Sequence, residues 1–277
     1  MRSLHILVAY PYMSKAMVRA LASLRQVCDV HLMLDSGAFT AWKSGHPINL
    51  AEYCDFLADP AVPFQHAVQL DVIGDHQATM RNYDTMRERG LRVMPVFTRG
   101  APFSDADRFY ETTDYLLFGG IVSTPGNREY LKWFTNQNRG RKVHWLGFTN
   151  RDFITAFRPY SADSSSWNFA PRSGKMRLYT GKGVLKEFQR DDVIRGGVML
   201  DSLLARHGIS PPDRARLRTE SAWRGGASVS FRASTAAAIL RAQDTQSFLG
   251  TKLYLAASTG VQINMIREAV ESLALQY

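Results

Sequence analysis

The sequence predicts an α/β protein built as a (β/α)8, TIM-like barrel with extra helices at its C-terminal end. Short apolar runs alternate with helix-patterned segments, the connections between them are brief, and seven such units fit into the first 170 residues. Strands that alternate with helices pair in parallel, since a parallel crossover needs a connection as long as a helix. Short strands in so little chain favour a closed barrel; an open doubly wound sheet is the alternative, and periodicity alone does not separate the two.

The elements follow in order. HILVAY (5–10) is a first strand, followed by a helix through SKAMVRALASL. VHLMLD (30–35) is a second, and NLAEYCDFL follows it with Asn49 as N-cap. HAVQLD (66–71) precedes HQATMRNYDTMRERG, whose Gly90 suits a helix C-terminus. RVMPVF (92–97), YLLFGGI (115–121) and VHWLGF (143–148) repeat the pattern with SDADRFYETT, NREYLKWFTNQ and NRDFITAF behind them, and PYSADSSSW (159–167) is the seventh strand region. After about residue 190 the chain turns mostly helical: DDVIRGGVMLDSLLARHG, a polar break at SPPDRARLR, then STAAAILRAQDTQSFL and NMIREAVESLAL, with LYLAAS (253–258) as a late strand. The expectation is one domain over 1–277 whose 190–277 part is mostly helical.

Composition narrows the function classes. Of 277 residues, 45% are hydrophobic and 21% charged, as in ordinary globular proteins rather than disordered ones. No apolar run approaches the roughly 18 residues that span a bilayer, and the N-terminal run lacks a small-residue cleavage site, so the expected location is the cytoplasm. Cys28 and Cys54 are the only cysteines, too few for a Cys-rich zinc site or a disulfide framework. His31, His66, His76 and His144 have no ligand spacing, and no metal is expected; a lone histidine such as His144 reads as structural.

The formal charge is +9, and the excess is uneven. One basic stretch runs from Arg139 through Arg141, Lys142, Arg151, Arg158, Arg172, Lys175, Arg177, Lys182 and Lys186 to Arg190. A second holds Arg206, Arg214, Arg216, Arg218, Arg224 and Arg232. Clustered cations are the footprint of a phosphate-backbone partner, because each neutralised phosphate releases counterions. A generally basic, solvated surface is the alternative.

Three strand regions end in aspartate: Asp35, Asp71 and Asp163. In a parallel barrel the carboxyl ends of the strands form the catalytic face, so carboxylates distant in sequence meet at one mouth. Any one of them can instead form an Asx-turn or cap the next helix. Three together suit glycosidic chemistry, in which one carboxylate is the nucleophile and another serves as acid, then base.

Four short motifs then resemble one family in order along the chain. LDSGAF is similar to the DSGGF/Y motif of tRNA-guanine transglycosylases, LLFGGIV to their GG-containing base-binding strand, HWLGFT to their LxGVG-like strand, and YSADSSSW to the strand with their nucleophilic aspartate. The likeness covers roughly residues 30 to 170. With DSGAFTAW and the short chain, it is closest to the phage and bacterial branch that places 7-deazaguanines in DNA.

The resemblance implies a (β/α)8 fold and a guanine exchange through a covalent aspartyl-sugar intermediate. Asp163 becomes the nucleophile at C1′ and Asp35 the general acid/base. Asp71 reads the base edge, Gly119 and Gly120 let backbone amides approach the heterocycle, Phe39 and Leu146 cover its two faces, and Ser36 donates to a base or a carboxylate. For Phe39 and Leu146 ordinary core packing is the equal alternative. The expected co-substrate is a 7-deazaguanine base, the 7-cyano form (preQ0) first, and no cofactor.

Departures from the family bear on the substrate. Its tRNA-modifying members carry a zinc subdomain with three cysteines and a histidine, which this chain cannot build, and a glutamine where Phe97-Thr98 stand here. Loss of that subdomain favours DNA, taken single-stranded or with the guanine flipped out. Arg139, Arg141, Lys142, Arg172, Lys175 and Lys182 are then expected near the mouth, and Trp42 and Trp167 to stack on bases. The alternatives are a tRNA substrate, a glycosidase or nucleoside hydrolase, and a non-catalytic nucleic-acid-binding barrel subunit. A membrane partner is not expected, an accessory protein is left open, and a phage origin would make the location the host cytoplasm.

Overall fold

The computed structural model describes residues 3–61, 64–121, 127–219, 223 and 229–274. The strands are β1 (Ser3–Ala9), β2 (Asp29–Asp35), β3 (His66–Ala67), β4 (Val96–Thr98), β5 (Tyr115–Gly119), β6 (Lys142–Trp145), β7 (Ser161–Ser164), β8 (Lys175–Gly181), β9 (Val184–Gln189) and β10 (Lys252–Ala257). Eight of them form one sheet in the order β3-β2-β1-β10-β7-β6-β5-β4. The two end strands are themselves linked: Val68 and Met94 form a parallel bridge, Met94 N–H donates to Ala67 O at 2.8 Å, and Gln69 N–H to Met94 O at 3.0 Å. That link is the closure a (β/α)8 barrel requires, with β10 as the eighth strand. An open doubly wound sheet would leave those edges apart.

The chain divides into two compact units. One comprises His5–Ser14 and His31–Asp163. Its strands are in parallel register, Val96 opposite Leu117, Leu117 opposite His144, and His144 opposite Ser161. They are nearly all-apolar because helices cover them. Phe118 stacks on Phe134 with ring centroids 3.8 Å apart, and Phe97 packs on Phe134 at 5.3 Å. Asn49 caps its helix as expected, accepting from the N–H groups of Ala51 and Glu52, and Asn150 caps another by accepting from those of Asp152 and Phe153.

The other unit comprises Met1–Leu4, Lys15–Val30 and Ser164–Tyr277. Its antiparallel hairpin β8-β9 packs on the helix Val229–Leu249, and Met176, Leu178, Phe188, Leu204 and Leu217 share its core. The helices Lys15–Leu24 and Gly260–Ala274 pack together at Gly260, where a Cβ would lie 3.0 Å from Ala16 O.

Several elements differ from expectation. The third strand is only His66–Ala67, and Asp71 follows it in irregular chain, because Gln69 turns its carboxamide to Thr79 O and Val96 N–H. The hairpin at 175–189 was not anticipated. The helical stretch from 190 is broken at Gly196 and Gly197 into Arg190–Arg195 and Val198–Arg206. SPPDRARLR, expected as a break, contains the helix Pro211–Arg216: Ser210 caps it, and proline at the first position lacks only an N–H that would have no helical partner.

Candidate active site

The stretch Asp35-Ser36-Gly37-Ala38 ends β2 and opens the helix Ala38–Ser44. Asp35 Oδ2 accepts from Gly37 N–H at 2.9 Å, an Asx-type turn that requires Gly37 to sit at φ 82°. A Cβ there would stand 2.5 Å from Pro11 Cδ, so both backbone and space demand glycine. Ser36 is fully buried and donates to Asp71 Oδ1 at 3.4 Å, while its Oγ accepts from Ala38 N–H at 3.3 Å. The small residues behind Asp35 thus tie two carboxylates into one turn.

Those carboxylates are electrostatically coupled. Burial raises Asp35 to about 7, with the charges of Asp71 and Asp163 pushing the same way against the N–H groups of Gly37 and Ser36. Burial raises Asp71 to about 6, opposed by hydrogen bonds from its own backbone and from Ser36. Tyr53 closes the floor: it is fully buried and donates to Val68 O at 2.7 Å.

Asp163, on β7, is 6% exposed. Its Oδ1 accepts from Gly147 N–H at 2.8 Å and lies 3.1 Å from His144 Nε2. His144 Nδ1 lies 2.6 Å from Ser161 Oγ, which is 2.5 Å from Tyr115 OH. One proton assignment satisfies the whole chain: Tyr115 O–H donates to Ser161, Ser161 O–H to His144 Nδ1, and His144 Nε2–H to the carboxylate. Both donors converge on Oδ1, and Oδ2 accepts from no described residue. Gly147, Ser161 and Tyr115 were not singled out from sequence, and His144, read there as structural, is fully buried with a partner at each ring nitrogen. The signal available was a polar residue, His144, inside an otherwise apolar run two strands' reach from an aspartate.

The remaining expected residues divide by position. Gly119 ends β5 at ordinary backbone angles, and a Cβ there would meet Val96 and Leu146 at 3.6 and 3.7 Å. Nothing in the fold therefore demands glycine at that point. Gly120 does need it, at φ 75°. Leu146 is half-buried beside Gly119. Phe39 and Trp42 are 62% and 60% exposed with rings 5.9 Å apart, on the helix that follows Asp35. Phe97 is core.

The basic residues need correction. Arg139 and Arg141 precede β6 and Lys142 begins it, at the amino end of the strands and opposite the carboxyl ends that carry Asp35 and Asp163. Helix-to-strand loops lie on that face, and only strand-to-helix loops reach the mouth. Arg141 instead lies over the Tyr110 ring and pairs with Asp107, Lys142 pairs with Asp114 at 2.6 Å, and Arg139 donates to Asn136. Lys175 pairs with Glu187 at 2.8 Å across the hairpin; Lys182 is exposed in its turn. In the second arginine stretch, Arg218 forks onto Asp201, Arg216 and Arg232 pair with Asp213, and Arg224 lies outside the described residues. Trp167 is 5% exposed and donates to Ala256 O at 2.9 Å, so it is a packing residue and presents no stacking face. Arg172 is exposed and forms no ion pair with a described residue.

Among the described residues, no three of His, Cys, Asp and Glu form a metal-ligating group, and no helix is long and apolar enough to cross a membrane. No family model, curated protein or solved structure matches the chain.

Proposed function

We propose that this chain is a DNA guanine transglycosylase that exchanges guanine for a 7-deazaguanine base, the 7-cyano form first. The observation that carries the reading is the presence of two unlike carboxyl groups: Asp163, held at Oδ1 by two donors while Oδ2 accepts from no described residue, and Asp35, raised to about 7. A nucleophile needs a fixed carboxyl group with one oxygen available, whereas an acid that later acts as a base works best near the ambient pH.

In the first half-reaction Asp163 Oδ2 attacks C1′ of the deoxyribose. The C1′–N9 bond breaks, its electron pair leaves with guanine, and protonated Asp35 supplies the proton that neutralises it. In the second half the incoming base gives its N9 proton to the Asp35 carboxylate. Its N9 then bonds to C1′ and the aspartyl ester breaks, restoring Asp163. Asp71, partly protonated at about 6, faces the donor edge of the base with Ser36 fixing its orientation. Glycine at 119, which the fold does not require, leaves room for a flat ring at that strand end.

The choice of DNA rests on the two-cysteine sequence, which cannot build the zinc subdomain of the tRNA enzymes. The experiment incubates the protein with guanine-labelled DNA and 7-cyano-7-deazaguanine, with a matched tRNA reaction alongside. Mass spectrometry of released guanine and of digested nucleosides should show a deazapurine deoxynucleoside in equal amount. Exchange in tRNA alone would overturn the substrate, and free guanine without incorporation would make the protein a hydrolase.

A further inference from the structure

A cavity of about 410 Å³ lies wholly within the unit that contains the C-terminal helices, and none of the three aspartates lines it. Its wall follows β7 and β10 in the chain: Asn168 and Arg172 on one side, Val261 and Gln262 from the first turn of the helix Gly260–Ala274 on another, with Trp223 and Phe231 supplying aromatic surface. In barrels of this type the loops after the seventh and eighth strands and a helix N-terminus commonly receive a phosphate.

Asn168 is the feature that asks for a ligand. It is 4% exposed, its Oδ1 is buried without a partner, and its Nδ2 donates to no described residue. A buried carboxamide oxygen with no donor costs free energy unless something fills it. It presents a donor beside an acceptor, the complement of a base edge such as adenine N6 and N7. Arg172 is the exposed cation on the same wall, unpaired with any described residue, and Val261 N–H, in the first turn of a 15-residue helix, has no acceptor among the described residues. An aromatic wall, a two-way amide and a cation beside a helix N-terminus together describe a nucleotide.

We infer that this cavity binds a nucleotide: the base against Asn168 and the aromatic wall, the phosphate against Arg172 and the start of the helix Gly260–Ala274. The ligand is either a free mononucleotide or one unit of a single strand.

Calorimetric titration of the full chain, carrying Asp163→Ala so that the exchange chemistry proposed above plays no part, tests this with dAMP, deoxyadenosine, abasic deoxyribose 5-phosphate and oligo(dA). Binding of dAMP at least about tenfold tighter than either half, weakened about tenfold or more by Arg172→Ala and by Asn168→Asp, is the expected result. Binding of oligo(dA) with the same two sensitivities, and none of dAMP, assigns the site to a strand. Abasic phosphate binding as tightly as dAMP would reduce the site to an anion hole and overturn the nucleotide. Tight dAMP or oligo(dA) binding that ignores both substitutions would place it elsewhere and overturn the cavity, as would no binding of any probe. Arg172 is exposed, so its variant should keep the wild-type melting temperature, which separates lost binding from lost fold.

Discussion

His144 Nε2 lies 3.1 Å from Asp163 Oδ1, and the two side chains, on neighbouring strands, are almost closed to solvent. The pair connects a tyrosine, a serine and a histidine to the carboxylate proposed to attack the sugar, so His144 acts as a positioning residue. His144→Phe keeps a flat ring, somewhat larger, and removes both ring nitrogens. Its expected effect is a loss of about 1–3 kcal/mol of stability from the groups left unpaired. Exchange should fall about 100-fold in kcat at nearly unchanged KM for DNA, as misplacement of a nucleophile does. Urea denaturation and steady-state kinetics on the same preparation check it.

Two glycines at strand ends should respond in opposite ways. Gly37→Ala places a Cβ against Pro11 at a positive φ and should cost about 1–3 kcal/mol. Gly119→Ala meets only ordinary contacts and should leave stability within about 0.5 kcal/mol while raising KM for the incoming base. Denaturation curves of the two variants, with base titrations for the second, measure both effects.

The raised carboxyls carry a pH dependence of definite sign. Asp35 at about 7 keeps its proton in the folded chain where the unfolded chain, near 3.8, has lost it. The folded state then binds more protons between these values, and stability falls as pH rises through that window. Asp35→Asn removes the titration and should gain on the wild type by about 1–4 kcal/mol as pH is raised from about 4 to about 8. Single-turnover release of guanine by the wild type should decline above about pH 7, as the acid is lost.

The aromatic residues once grouped together should separate. Trp167→Phe loses the bond to Ala256 O and should cost about 1 kcal/mol with unchanged affinity for single-stranded DNA. Phe39→Ala and Trp42→Ala, both on an exposed face, should leave stability within about 0.5 kcal/mol and weaken that affinity. Fluorescence anisotropy with a labelled oligonucleotide distinguishes them.

What was legible in the sequence follows from what is local. β2 ending on Asp35 and the cap Asn49 are short-range signals, and the alternation of apolar runs announced the parallel sheet. β8 does alternate, with buried Met176 and Leu178 following Lys175 and Arg177 in turn, but the alternation is short and its outer face is charged, Lys175 and Arg177 pairing with Glu187. Pro211 read as a break because its missing N–H matters inside a helix, not at its first position. In the second arginine stretch the pairing is not legible, because Asp201 and Asp213, which pair with Arg216, Arg218 and Arg232, are distant in sequence from most of them. His144 is a satisfied buried histidine, as its place in an apolar run suggests, and its partner Asp163 is not legible in the sequence because only the register of β6 on β7 brings the two together.

The most direct test is denaturing mass spectrometry of the protein after brief incubation with single-stranded DNA and no incoming base, comparing the wild type with Asp163→Asn. The expected result is a protein–DNA adduct in the wild type that maps to Asp163, with guanine released in equal amount, and neither in the variant. An adduct on another residue, or guanine exchange by Asp163→Asn, would contradict the assignment.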